Sequence, residues 1–133
     1  MSKIGFCFLI YDKIYNIELW NKFFNNIPIR EYGIYIHAKE KYKNELKNAI
    51  VFENVIESKW ADISLVYLTH FLFKKACLDG CEYFLLLSGD TIPLYNFYDI
   101  KVMSIENNYP SEINYNEYLS SKGFMFFNCY GHD

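Results

Sequence analysis

Residues 4–11, "IGFCFLIY", are apolar almost without interruption, as a strand covered on both faces requires. The next stretch, "DKIYNIELWNKFFNNI" at 12–27, returns Ile17, Leu19, Trp20, Phe23 and Phe24 at helical spacing, with Pro28 closing it. "YGIYIHA" at 32–38 predicts a second strand, "KEKYKNELKNA" at 39–49 a polar connection with room for a short helix, and "FENVIES" at 52–58 a weak third strand. "WADISLVYLTHFLFKKACLDG" at 60–80 predicts the clearest helix. Ile63, Val66, Leu68, Phe71, Leu72 and Cys77 share a broad apolar face, Lys74 and Lys75 sit in the last turns, and Gly80 stands where a left-handed cap belongs. "EYFLLLS" at 82–88 reads as another buried strand, "NFYDIKVMSI" at 96–105 as a helix after Pro93, 107–122 as a long polar loop, and "GFMFFNCY" at 123–130 as a last strand.

Strands alternating with helices predict an α/β fold with a mostly parallel sheet, crossover connections and helices on both faces. Such sheets take ligands at the carboxyl ends of their strands, near the point where strand order reverses. "LLLSGDTIPL" at 85–94 is the stretch that this architecture singles out, because Ser88, Gly89, Asp90 and Thr91 stand just past a strand's carboxyl end. A purely structural reading is also open, in which Gly89 and Pro93 make the turn and Asp90 or Thr91 caps the next helix.

Composition narrows the classes. The 133 residues are 52% hydrophobic, 20% aromatic and 22% charged, which is the balance of a folded chain of one-domain size, able to bury a core. The formal net charge is −3 and the basic residues are scattered, so nothing suggests a nucleic-acid partner. No run reaches the ~18 apolar residues of a membrane span, and no signal peptide is evident, so a cytoplasmic location is expected. Four cysteines in such a chain read as reduced thiols. Cys77 and Cys81 form half a zinc pattern that no second pair completes, so no metal is expected. His70, among apolar helical residues, reads as a core or boundary histidine, and His132, beside Asp133, as part of a fraying terminus.

Neither the dinucleotide pattern G-x-G-x-x-G nor the phosphate loop G-x-x-x-x-G-K-[ST] occurs, and there is no G-x-S-x-G elbow. There is also no D-x-D, the acidic pair that holds a divalent ion against a sugar-nucleotide diphosphate. Any sugar transfer would have to neutralise phosphate charge without metal.

Three stretches in order, "YGIYIHAKEK" at 32–41, "SKWADISLV" at 58–66 and "FLLLSGDTIPL" at 84–94, resemble the successive N-terminal motifs of the core-2/I-branching β-N-acetylglucosaminyltransferase family, which includes protein xylosyltransferases. The soluble, Asn/Ile/Lys-rich members from giant viruses look most similar, and the resemblance covers roughly residues 3–105. It implies a GT-A-like, Rossmann-like fold whose nucleotide-sugar-binding half corresponds to residues 1–133, shortened relative to the family. It implies an inverting, metal-independent transfer of a GlcNAc- or xylose-type sugar from a UDP-sugar to a glycan or protein hydroxyl, with no cofactor beyond the donor. Tyr11, Asp12 and Lys13 fall where the family's first loop flanks the nucleotide. His37 stands where many members have an aspartate that helps hold the uridine, and Lys39 keeps a basic residue of that motif. Trp60, Asp62 and Ser64 match the helix-opening motif, with Trp60 able to pack beside the base. Ser88, Gly89, Asp90 and Thr91 match S-G-x-D, but the acid stands one place early and Thr91 takes its position; in a strand-like segment that step would turn Asp90 away from the ligand. The family's catalytic base and diphosphate-gripping cations come later than this chain reaches. Glu112 and Glu117 are the carboxylates of the polar loop before the last strand, and as loop residues they read as solvated unless one acts as base. A shortened enzyme, a binding remnant without catalysis, and a structural protein whose exposed surface drives self-association all fit this pattern.

Overall fold

The computed structural model describes residues 2–53, 63–106 and 126–128. Its elements are β1 (Ile4–Ile10), α1 (Ile17–Phe24), a 3-10 turn at Ile29–Glu31, β2 (Tyr32–Ala38), β3 (Ala49–Glu53), α2 (Ile63–Leu78), β4 (Tyr83–Ser88), α3 (Phe97–Glu106) and β5 (Phe126–Asn128). They build one five-stranded sheet in the order β3-β2-β1-β4-β5. The first four strands are mutually parallel, and β5 pairs antiparallel with β4. The expected mostly parallel α/β sheet is therefore present, with one antiparallel edge strand of a kind common in such sheets.

Helices cover both faces. On one, α1 and α3 bring Trp20, Phe23, Phe24, Phe97 and Ile100 against Phe6, Phe8, Ile34, Ile36, Leu85 and Leu87. On the other, Leu72 and Ala76 of α2 pack on Cys7, Tyr35 and Phe84. Strand residues alternate between these two cores, which is why β1, β2 and β4 are apolar at nearly every position.

Several elements differ from the pattern reading. The helix expected over 12–27 begins at Ile17, after a loop that Tyr15 N–H ties to Gly89 C=O (2.8 Å), and it ends at Phe24, three residues before the expected stop, with Asn26 just beyond in a left-handed conformation (φ 63°). No helix forms in 39–48. Tyr42 and Leu46 are buried, but the Asn44 side chain accepts from Leu46 N–H (3.0 Å) and donates to Leu46 C=O (3.0 Å), a local pattern that competes with helix. The third strand begins at Ala49, three residues early, and 54–58 lies outside the described residues. Along α2, the residues turned inward are Leu68, Leu72 and Ala76, whereas Val66 is 52% exposed and His70 is exposed, so neither belongs to the core as expected. The cap does form as predicted: Gly80 (φ 94°) and Cys81 donate to the carbonyls of Cys77 (3.1 Å) and Ala76 (2.9 Å), the paired bonds of a Schellman turn.

At this amino pole of the sheet, Tyr35 lays its ring over Gly33 and donates its hydroxyl to Asp79, which also pairs with Lys3 at 3.2 Å. A second polar tie fixes α3. Glu31 is buried and accepts from Lys101 at 2.7 Å and from the Tyr98 hydroxyl at 3.1 Å. The Lys101 hydrogen bond holds the Glu31 carboxyl below its ordinary value, against the opposing effect of burial. Lys101→Met leaves that carboxylate without its ammonium and is expected to cost about 2–3 kcal/mol, less than the ~3–5 kcal/mol of a fully buried broken pair because both groups keep some solvent contact. Since the folded pKa is depressed, the pair's contribution is present above the ordinary carboxylate range and is lost as pH falls through the folded value. Urea unfolding of wild type and variant at pH 7 and at pH 3 should show the difference shrinking in acid.

Candidate functional site

The strand order reverses at β1: the chain proceeds from β1 to β2 to β3 on one side, then returns through α2 to β4 on the other. The carboxyl ends of β1 and β4 thus form a topological switch point, where side chains and loop amides diverge and leave room for a ligand. Register places the predicted positions at this edge. Leu9 pairs with His37 on one side and with Ser88 on the other. His37 in turn pairs with Phe52. Ser88, Leu9, His37 and Phe52 therefore form one row across the sheet, on the face covered by α2.

Two loops meet above the switch point. After β1, Tyr11, Asp12 and Lys13 are exposed, and Tyr15 N–H donates to Gly89 C=O at 2.8 Å. The contact is close enough that a Cβ on Gly89 would stand 2.6 Å from the Lys13 carbonyl, so glycine is required here by space. After β2, Lys39 and Glu40 donate their backbone N–H groups to the carbonyls of Ile10 (3.1 Å) and Tyr11 (2.8 Å), which carries the third loop onto the first. The Lys13 ammonium lies 4.5 Å from the centre of the Tyr15 ring, and the Lys39 ammonium 5.9 Å from that of Tyr11. Two cations are thereby held beside the edge against aromatic faces.

The segment after β4 is a turn. Thr91 N–H donates to Ser88 C=O (3.3 Å), Ser88 N–H donates to Thr91 Oγ1 (3.2 Å), the Ser88 hydroxyl donates to Asp90 Oδ1 (2.6 Å) and also lies 2.9 Å from the Thr91 hydroxyl. Strand alternation between Asp90 and Thr91 consequently does not apply, because both side chains fold back on one hydroxyl. Neither of them caps α3. That role falls to Asn96, whose side chain accepts from Asp99 N–H at 2.9 Å. Trp20 Nε1 donates to the Thr91 carbonyl at 3.0 Å, tying this turn to the core beneath it.

His37 is 2% exposed, and its Nε2 has no hydrogen-bond partner among the described residues. Burial lowers its pKa from the ordinary value, partly offset by a hydrogen bond of the ring to its own backbone. Sequence reasoning found the position but not this unsatisfied nitrogen, which depends on what packs around it.

Ser64 lies half-buried in the first turn of α2, the helix that runs from the carboxyl edge to the amino pole. Trp60, Asp62, Glu112 and Glu117, with His132, lie outside the described residues. Cys77 and Cys81 flank the α2 cap at the amino pole, at the other end of the sheet from this edge. Among the described residues, no helix is long and apolar enough to cross a membrane.

The assembled edge offers two ammonium groups, exposed carboxylates at Asp12 and Asp90, hydroxyls at Ser88 and Thr91, and a buried imidazole within one layer of the strand tips. Against known proteins, the family model described as Core-2/I-branching enzyme matches residues 4–122, and no curated protein matches.

Proposed function

The chain belongs to the Core-2/I-branching enzyme family, a glycosyltransferase family, and from that premise we propose that its strand-tip edge binds a UDP-sugar and supports metal-independent, inverting transfer of a GlcNAc- or xylose-type sugar to a glycan or protein hydroxyl. The observation that supports this most directly is the convergence of β1, β2 and β4 at a switch point, with Leu9 in register with both His37 and Ser88. In this reading Tyr11, Asp12, Lys13, His37, Lys39, Ser88, Gly89, Asp90 and Thr91 line the donor site, joined by Ser64 of the first turn of α2 and by Trp60 and Asp62, which precede that helix in sequence.

The chemistry asks for a few things only. The acceptor hydroxyl oxygen forms a bond to the anomeric carbon as the bond to the diphosphate oxygen breaks, UDP departs with the electron pair, and the hydroxyl proton passes to a base. Lys13 and Lys39 supply positive charge for the leaving diphosphate. Glu112 and Glu117 remain the candidates for the base.

The test is a thermal-shift screen with UDP, UDP-GlcNAc, UDP-xylose and UDP-glucose, with and without EDTA, followed by an assay of UDP release with a glycan acceptor. A nucleotide-dependent rise in Tm that EDTA leaves intact is expected; ligand at 100 times its Kd adds about 2.7 kcal/mol. Loss of the rise in EDTA would overturn the metal-free reading, and no rise with any nucleotide would overturn the donor site. A rise without UDP release would reduce the function to sugar-nucleotide binding.

A further inference from the structure

β3 is an edge of the sheet, and among the described residues it pairs with β2 alone. An edge strand presents a row of backbone N–H and C=O groups that another strand can take up, and proteins that prevent such pairing place lysine, proline or a bulge in the edge, or make it very short. β3 carries none of these devices. It reads "AIVFE" over five residues, with its one charge at the last position, and Ile50 within it is 47% exposed.

The charges at the two ends of this strand choose its partner. Lys47, just before the amino end, and Glu53, at the carboxyl end, are both exposed, and Glu53 Oε1 is held in place by accepting from Tyr42 N–H at 3.2 Å. A second β3 laid antiparallel beside the first has its ends reversed, so its Glu53 comes to Lys47 and its Lys47 to Glu53, an opposite-charge contact at each end. A parallel copy would set like charges side by side, which is unfavourable. Overlap of all five residues puts Val51 opposite its own copy and each Ile50 opposite a Phe52, a β-branched and aromatic pairing that cross-strand contacts favour. By strand alternation Ile50 and Phe52 share the α2 face, where Phe52 packs on Phe71 at 5.0 Å between ring centres. The second copy's Phe52 would therefore cover the exposed Ile50.

We propose that two copies of this chain associate through β3, antiparallel about a two-fold axis that passes by Val51 perpendicular to the sheet, so that two five-stranded sheets become one. The pairing is isologous and closed, because each β3 edge is taken up by the other. The same axis reverses strand direction, so the carboxyl edges of the two sheets point opposite ways and both strand-tip sites stay open. The interface is independent of the donor site proposed above.

Sedimentation equilibrium tests it. Five paired residues on each side make a small interface, so a weak dimer is expected, with Kd on the order of 10–100 µM. Ile50→Lys, a change at an exposed position, sets an ammonium group from each copy into the apolar part of the interface and should raise Kd at least about tenfold. Lys47→Glu and Glu53→Lys, each by itself, put like charges at both ends and should each raise Kd about tenfold. An equimolar mixture of those two variants restores opposite charges at both ends and should form heterodimers with the wild-type Kd. A wild type that stays monomeric at about ten times the expected Kd would refute the proposal. So would a dimer that Ile50→Lys leaves intact, or a mixture that associates no better than its components. Circular dichroism checks that each variant is folded; should Glu53→Lys not fold, because Tyr42 N–H has lost its acceptor, the wild type and Ile50→Lys still decide.

Discussion

Trp20→Ala is expected to lower the melting temperature by on the order of 10–15 °C, the largest stability loss of any single truncation considered in this chain. Trp20 is 1% exposed and sits at the centre of an aromatic group. Its ring meets Phe8 at 5.2 Å, Phe23 at 5.3 Å, Phe24 at 6.0 Å and Phe6 at 6.4 Å between centres, mostly edge to face. Removing it leaves a cavity beneath α1 that rigid neighbouring rings cannot fill, and such truncations cost ~3–5 kcal/mol. Trp20 also donates Nε1–H to the Thr91 carbonyl, so its loss frees the turn after β4 as well as the core. Trp20→Phe separates the two effects: it keeps most of the ring, drops the hydrogen bond, and should cost about 1–2 kcal/mol while still loosening the Ser88–Thr91 turn. Calorimetry on both variants, with amide exchange at Thr91 and Ile92, measures each part. A Trp20→Ala variant melting within 3 °C of wild type would contradict the packing described, on the same scaling.

The link between core and site explains what could be read from the sequence. β1, β2 and β4 were legible because a strand buried on both faces leaves an unbroken apolar run, and "IGFCFLI", "YGIYIHA" and "YFLLLS" are such runs. The Gly80 cap was legible because only glycine takes a positive φ there without penalty. The strand-tip location of Ser88 followed from the parallel architecture alone.

What was not legible depended on partners far away in sequence. α2 is apolar on more than one side, so its pattern could not say that Leu68, Leu72 and Ala76 face the sheet while Val66 faces out. Tyr42 and Leu46 are spaced as on a helix, yet both anchor a loop that Asn44 shapes through its own side-chain bonds. Strand alternation would send the Asp90 and Thr91 side chains to opposite sides, but a tight turn directs both to the Ser88 hydroxyl. The unsatisfied nitrogen of His37 is a property of what surrounds it, and no local motif encodes that.

Gly89→Ala should weaken nucleotide binding about tenfold or more, a larger change at the site than its effect on the fold would suggest. The added methyl would lie 2.6 Å from the Lys13 carbonyl, and backbone on both sides of the contact leaves no flexible side chain to yield. The β1 and β4 loops must separate, which strains the Tyr15 N–H to Gly89 C=O bond of 2.8 Å and shifts Lys13 from its place beside the edge. The fold itself loses about 1–3 kcal/mol, as overpacking usually does. Gly80→Ala supplies the comparison. Its penalty is a strained left-handed cap (φ 94°) with nothing within 4 Å, and it lies at the amino pole, away from the strand tips. It should lose about 1–2 kcal/mol of stability and keep wild-type nucleotide affinity. Titration of UDP into both variants at a temperature where each is folded decides the matter: equal affinities would mean that the two loops do not shape the site, whereas a tenfold loss confined to Gly89→Ala places the donor's phosphates between them.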